Sequence, residues 1–166
     1  IAPGLRVGWT LVPPSLKEKL VIASESSILC PSNFTQLTIS SYLADQPWRD
    51  QIASFCDLYK VRRDAMLESL EEYFPATAQW TKPGGGFYVW VTLPPEIDTT
   101  ALMPKAIVAK VAYVPGTAFY ADGFGSWSLR LSYCYPTPER IREGVKALGG
   151  VIKQEMASRK GFELKG

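Results

Sequence analysis

The chain has 166 residues, of which 46% are hydrophobic, 20% charged and 12% aromatic. That balance is globular, too apolar for a disordered chain, and a chain of this size buries roughly 70% of its unfolded surface without staples. There is no histidine, the net charge is +2, and Cys30, Cys56 and Cys134 are scattered; this excludes His-based triads and imidazole zinc sites, and it argues against thiolate metal sites, disulfide scaffolds and a nucleic-acid footprint. The odd, dispersed cysteines suit a reducing cytoplasm. The longest uncharged run, Ser26 to Ala44, is broken by Pro31, Ser32, Asn33, Thr35 and Gln36 and would insert poorly in a bilayer.

In chain order, the start at Ile1 without a methionine, running into Pro3-Gly4, reads as the interior of a larger protein. Residues 5–12 alternate, with Leu5, Val7, Trp9 and Leu11 on one side and Arg6, Gly8 and Thr10 on the other, which predicts a strand ended by Pro13-Pro14. Ser15, with Glu18 at capping-box spacing, predicts a helix to about Leu29. After the break at Cys30-Pro31-Ser32-Asn33, a second helix is expected over Phe34 to Ala44. The clearest helix runs from Trp48 to about Phe74, carrying Ile52, Phe55, Cys56, Tyr59, Met66, Leu70 and Tyr73 near helical spacing. At about 26 residues it spans roughly 40 Å, long enough to bridge two bodies.

Pro83-Gly84-Gly85-Gly86 leads into a β-prone run, Phe87 to Leu93, stopped by Pro94-Pro95. A short helix around Thr100 to Ala109, a short strand Ala112 to Val114, a loop Pro115 to Trp127 and a strand Ser128 to Tyr133 follow. Thr137-Pro138 reads as an N-cap with proline at the first helical position. The last helix places Ile141, Val145, Leu148, Ile152 and Met156 on one stripe. No internal repeat is present. The second part reads as a small sheet with helices packed on it.

Two arginines are the leading candidates for chemistry. Arg130 lies mid-strand, on the side opposite Leu129, Leu131 and Tyr133. A guanidinium there is suited to grip a carboxylate with two parallel hydrogen bonds; the plain alternative is a solvated arginine on an open sheet face. Arg6, beside the Pro3-Gly4 turn, suits a phosphate or a carboxylate, or is simply a surface residue near a chain end. The Gly84 to Gly86 triplet precedes a strand, so it is not a phosphate loop ahead of a helix. It is either a turn needing positive φ or a place of close backbone approach to a ligand. The run Val114 to Tyr120 either lines a pocket or is a packed connection. Asp98 and Asp122 have no carboxylate partner at hydrolase spacing. Lys60, Arg62 and Arg63 read as the solvated face of their helix, and Lys17 and Lys19 as surface lysines.

Four motifs in register resemble one family. Ile1-Ala-Pro-Gly-Leu-Arg-Val-Gly-Trp9 is similar to the stretch just after the cofactor lysine of class I/II pyridoxal-phosphate aminotransferases. Lys82 to Trp90 is similar to their late strand entry, Val114 to Tyr120 to their final pocket loop, and Leu129 to Tyr133 to their carboxylate-binding strand. The nearest flavour is the branch holding 2-aminoadipate and aromatic aminotransferases and the MocR-type regulators.

The resemblance implies an α/β fold: the two-layer small domain of fold type I enzymes, preceded by the last strand and helices of the large domain. It implies residues 1–46 as the tail of the large cofactor-binding domain with interdomain helices, and 47–166 as the small C-terminal domain. It implies Arg6 for the cofactor phosphate and Arg130 for the substrate α-carboxylate, with Gly85, Gly86, Phe119 and Tyr120 as pocket lining and no metal. It places the Schiff-base lysine upstream of Ile1, together with the family's pyridine-pairing aspartate, stacking aromatic, asparagine and tyrosine. No lysine of this chain matches the cofactor lysine, so the chain alone is expected to be inactive.

The implied cofactor is pyridoxal 5'-phosphate, the substrates an amino acid and a 2-oxo acid, and the setting a cytoplasmic homodimer. A MocR-type regulator, with the same body used as a ligand sensor beside a DNA-binding segment, is the main rival. A small-domain-like interaction protein without cofactor is a third reading, which needs neither arginine. Tyr88, Trp90, Phe119 and Tyr120 hint at a large or apolar substrate side chain, or belong to a core.

Overall fold

The structure, a computed structural model, describes residues 2–163; Ile1, at the head of the first motif, lies outside them. The chain divides into two units, Ile1–Ser54 and Phe55–Gly166.

The first unit opens with a 3₁₀ turn, Pro3–Leu5, then an irregular stretch. It continues with helices α1, Pro14–Ile28, and α2, Asn33–Asp45. The strand expected over residues 5–12 is absent. Arg6 closes the 3₁₀ turn in the left-handed region at φ 56°, its N–H donating to the Pro3 carbonyl, and that conformation is incompatible with a strand. Alternation also needs a neighbouring strand to complete its hydrogen bonds, and none of the described strands pairs with these residues. Trp9 and Leu11 are accordingly 87% and 95% exposed.

Helix α1 begins one residue before Ser15, with Pro14 at the first position and no side-chain cap. The fixed φ of proline starts the helix where a capping hydroxyl was expected. In α2 the cap is Ser32, whose hydroxyl accepts from the Thr35 N–H at 3.3 Å. Neither helix buries a residue. With no apolar core of its own, this unit should open readily. In hydrogen exchange on a monomeric sample, amides of residues 5–12, α1 and α2 should exchange at least roughly 100-fold faster than those of the central strands of the second unit. Strong protection of residues 5–12 would contradict this.

Helix α3, Trp48–Tyr73, starts in the first unit and runs into the second. The second unit adds strands β1, Gln79–Trp80, and β2, Tyr88–Thr92, helix α4, Thr99–Val108, strand β3, Val114–Pro115, a 3₁₀ turn at Gly116–Phe119, strand β4, Ser128–Ser132, and helix α5, Pro138–Glu163. The strands form one antiparallel sheet in the order β1-β2-β4-β3. Strand β1 went unseen in the sequence because two residues show no periodicity. Strand β3 sits later than the expected 112–114: Lys110 takes φ 61° after the end of α4, and pairing starts only where Val114 meets Arg130.

Register decides which side chains share a face. Val89 pairs with Leu131 and Val91 with Leu129, and all four are buried. They join Met66 and Leu70 of α3, Leu102 and Ala106 of α4, and Ile141, Val145, Leu148 and Ile152 of α5 in one core. The expected α5 stripe is thus the buried one, with Met156 packed at its edge. Thr137 and Pro138 start α5 as expected, the Thr137 hydroxyl accepting from the Arg140 N–H at 3.4 Å. At Gly149 a Cβ would lie 2.5 Å from the Tyr73 carbonyl oxygen, so glycine lets α5 cross the end of α3 closely. Lys105 of α4 and Arg159 both bind Glu155 of α5; these hydrogen bonds, that from Lys105 first, hold its carboxyl below the usual range.

Arg62 and Arg63 depart from the solvated face expected of them. Arg62 donates to the Cys134 carbonyl, and Arg63 pairs with Asp64 at 2.6 Å and reaches the Pro83 carbonyl at 3.4 Å. Both are half-buried. Long side chains along a helix can tie distant loops to it, which spacing on the helix alone does not reveal.

Candidate functional site

The other face of the sheet carries Arg130. Trp90 lies directly opposite it on β2 and Val114 on β3, while Tyr88 pairs with Ser132. Side chains of directly opposed residues point to the same side of a sheet. Arg130 therefore rises from the middle of the face that the core does not use, as the alternation of β4 predicts.

Its surroundings are aromatic. The guanidinium carbon lies 4.0 Å from the centre of the Tyr88 ring and 4.7 Å from that of Phe119. Phe119 in turn meets Trp90 edge-on, centres 5.3 Å apart, and Tyr120 lies 6.3 Å from Trp90. Arg130 is half-buried, and its Nε is fully buried with no hydrogen-bond partner. Among the described residues no carboxylate pairs with it. A solvated surface arginine does not look like this. A buried N–H without an acceptor is costly, and the rest of the guanidinium is left free to take one.

Phe119 and Tyr120 arrive from a loop that is tightly built. Its anchor is Thr99, the first residue of α4. The Thr99 N–H donates to the Ser126 carbonyl at 2.7 Å, and its hydroxyl lies 2.9 and 2.8 Å from the Ser126 and Ser128 carbonyls. The Tyr113 hydroxyl donates to the Thr99 carbonyl at 2.6 Å; burial, with the Asp98 charge behind it, pushes that phenol well above its ordinary value. Asp98 caps α4, accepting from the N–H groups of Thr100 and Ala101, and Asp122 accepts from the Phe124 N–H. Asp98 thus caps a helix, and Asp122 holds a local turn.

Two glycines decide how closely the loop folds. A Cβ at Gly116 would lie 2.3 Å from the Gly125 carbonyl oxygen and 2.8 Å from the Ser128 Cβ. Gly125 has φ +82°, and a Cβ there would lie 2.6 Å from the Tyr120 ring. Sequence reasoning singled out neither glycine, nor Thr99. Their role appears only when residues far apart in the chain come together.

Gly85 and Gly86 lie at the entry to β2. Both are exposed, and no atom of the described residues would crowd a Cβ at either. Gly86 takes φ +85°, as a turn requires, and the Gly85 carbonyl accepts from the Tyr133 hydroxyl at 3.3 Å. Arg6 belongs to the first unit. Its side chain is exposed and engages the Pro3 carbonyl at 3.5 Å. The structure thus gathers Arg130, Phe119 and Tyr120 with Tyr88 and Trp90. A depression of about 350 Å³ opens beside Leu131, Tyr135 and Arg140 and does not include Arg130.

Residues 2–148 match the family described as aminotransferase class I and II. The chain belongs to that family. This aminotransferase-family chain is 44% identical over 156 residues to aromatic-amino-acid aminotransferase 1 of Thermococcus litoralis, covering 94% of itself and 37% of that protein. It superposes with TM-score 0.84 and 44% identity on the crystal structure of a multiple substrate aminotransferase from Thermococcus profundus, over 95% of itself and 39% of that chain. It is also 31% identical, over 96% of itself and 32% of the other protein, to an uncharacterized HTH-type transcriptional regulator of Bacillus subtilis, YdfD. The chain spans well under half the length of the relatives it matches. The fold is that of the fold type I aminotransferases, seen here as a small antiparallel sheet with helices on one face. No helix among the described residues is long and apolar enough to cross a membrane.

Proposed function

We propose that the whole protein is a pyridoxal-phosphate-dependent aminotransferase, moving an amino group between an amino acid and a 2-oxo acid, and that this chain supplies its carboxylate-binding strand. The observation that carries this reading is Arg130: half-buried, its Nε without a partner, and no carboxylate of the described residues beside it. A ligand carboxylate would complete it with charge-assisted, two-point hydrogen bonds. Held that way, the substrate presents the bond to be broken in a fixed orientation. The rings of Tyr88 and Phe119 lie beside that position, 4.0 and 4.7 Å from the guanidinium carbon.

Arg6 fits the phosphate of the cofactor in kind: it is exposed, and its guanidinium is engaged only by the Pro3 carbonyl among the described residues. It would supply charge and hydrogen bonds to that group. Pyridoxal phosphate, when bound, supplies the electron sink for amino transfer. Gly85, Gly86, Phe119 and Tyr120 are assigned to the pocket wall. Residues 1–46 are assigned to the tail of the large cofactor domain and 47–166 to the small domain. The cofactor lysine is assigned to a part of the protein outside this chain, since none of its lysines matches. A cytoplasmic homodimer is the proposed setting; the free cysteines suit a reducing compartment.

The likeness to YdfD supports a second reading, in which the same body senses a ligand for a regulator. One set of assays separates the two. The full-length polypeptide, loaded with pyridoxal phosphate, should convert amino acids to 2-oxo acids, while the 166-residue chain alone should not. Full-length protein that binds DNA and transfers no amino group would move the assignment to the regulator. Turnover by the pure chain alone would overturn the placement of the lysine.

A further inference from the structure

We infer that Tyr88 and Phe119 are positioning residues for Arg130, using their ring faces to hold the guanidinium in a carboxylate-ready orientation. The inference deepens the proposed function and rests on its assignment of Arg130 to a carboxylate.

An arginine side chain has several rotatable bonds, and hydrogen bonds from a neighbouring acceptor are the usual means of fixing it. Here that means is absent, because Nε is buried without a partner and no carboxylate of the described residues lies in ion-pair range. A carboxylate from the protein would fix the side chain but also neutralise it and compete with a ligand. Aromatic faces do neither. They attract the cation through the ring quadrupole and occupy none of its N–H groups with a hydrogen bond. The two rings lie at 4.0 and 4.7 Å from the guanidinium carbon, well inside the range of that interaction.

The rings are themselves supported. Phe119 rests edge-on against Trp90, which is paired across the sheet with Arg130. Tyr88 meets Phe87 edge-on at 6.4 Å, and Phe87 meets Tyr59 of α3 at 4.9 Å. Phe119 ends the 3₁₀ turn that begins at Gly116, within the loop pinned to Thr99. Three segments, β2, β4 and the 116–119 turn, therefore converge on one cation. None of the aromatic contacts uses the Tyr88 hydroxyl, so the face of the ring, and not its polar tip, is the working part.

The test uses the full-length protein with four variants: Tyr88→Phe, Tyr88→Leu, Phe119→Tyr and Phe119→Leu. The first readout is the KM for the amino acid set against kcat. Each leucine variant should raise KM roughly 3- to 10-fold with kcat changed less than about twofold, while each aromatic variant should stay near the parent value. The second readout needs no turnover. The Nε–H resonance of Arg130, in protein labelled at arginine, should carry a ring-current shift that both leucine variants reduce and both aromatic variants keep. Thermal unfolding runs alongside, so that a leucine variant that fails to fold is judged by its aromatic counterpart and by the resonance in the other leucine variant.

Arg130→Ala separates the two levels of the argument. If it raises KM strongly but the leucine variants leave both KM and the resonance unchanged, the positioning role is overturned and the carboxylate role stands. If Arg130→Ala leaves KM and kcat unchanged, the carboxylate role itself falls. Equal losses in Tyr88→Phe and Tyr88→Leu would assign the effect to the hydroxyl and overturn the inference for Tyr88.

Discussion

Arg130→Ala in the full-length protein is expected to cost about 2–4 kcal/mol in kcat/KM, roughly a 30- to 900-fold loss. A charged, two-point hydrogen-bonded pair with the substrate would be removed, and the alanine leaves a site whose rings offer a carboxylate no positive charge. Most of the loss should appear in KM, because the carboxylate is held before and during the reaction alike. The stability readout is equally informative. Arg130 has no ion-pair partner among the described residues, and its Nε is already unsatisfied. Its removal therefore gives up ring contacts while relieving one buried, unpartnered N–H, and unfolding free energy should change by no more than about 1 kcal/mol. A large fall in stability with unaltered kcat/KM would mark Arg130 as a structural residue.

Gly116→Ala should act in the opposite sense, on the fold first and the site through it. The added methyl would lie 2.3 Å from a backbone oxygen, that of Gly125, and within 2.9 Å of Ser128 atoms. Backbone cannot rotate away as the end of a side chain can, so the loop must shift. Overpacking of this kind costs about 1–3 kcal/mol, and a backbone clash belongs at the upper end. Because Phe119 and Tyr120 follow directly, the shift should also withdraw a ring from Arg130 and raise KM for the amino acid. Chemical denaturation and steady-state kinetics on the same preparation check both parts. A variant as stable as the parent, with unaltered KM, would mean that the loop tolerates a different path without moving the rings.

The elements that were legible in the sequence are those whose signal is local. Helix α3, the stripe of α5, the Thr137-Pro138 start, the β-prone run of β2 and the alternation of β4 all depend on residues within one segment. The orientation of Arg130 away from the core follows from that alternation alone. Residues 5–12 show the limit of the same reasoning. Their alternation describes a segment able to join a sheet, but hydrogen bonds to a neighbour make a strand, and Arg6 turns the backbone the other way. Strand β1 is the converse case, two residues with no pattern that are ordered because β2 lies beside them.

Four motifs in order were enough to point to the family, and the alternation of β4 was enough to turn Arg130 away from the core. The surroundings of that arginine come from packing between distant segments. Tyr88 and Trp90 come from β2, Phe119 from a turn after β3, and the turn is held by Thr99 from α4 and by the close approach of Gly116 to Gly125. Spacing within a segment cannot express contacts between segments tens of residues apart, since these exist only once the apolar face of the sheet is buried and its register is set. On the opposite face the rings of Tyr88 and Phe119 gather around Arg130 and its Nε is buried without a partner, so a side chain that spacing alone leaves as an ordinary surface arginine becomes an unpaired cation among rings.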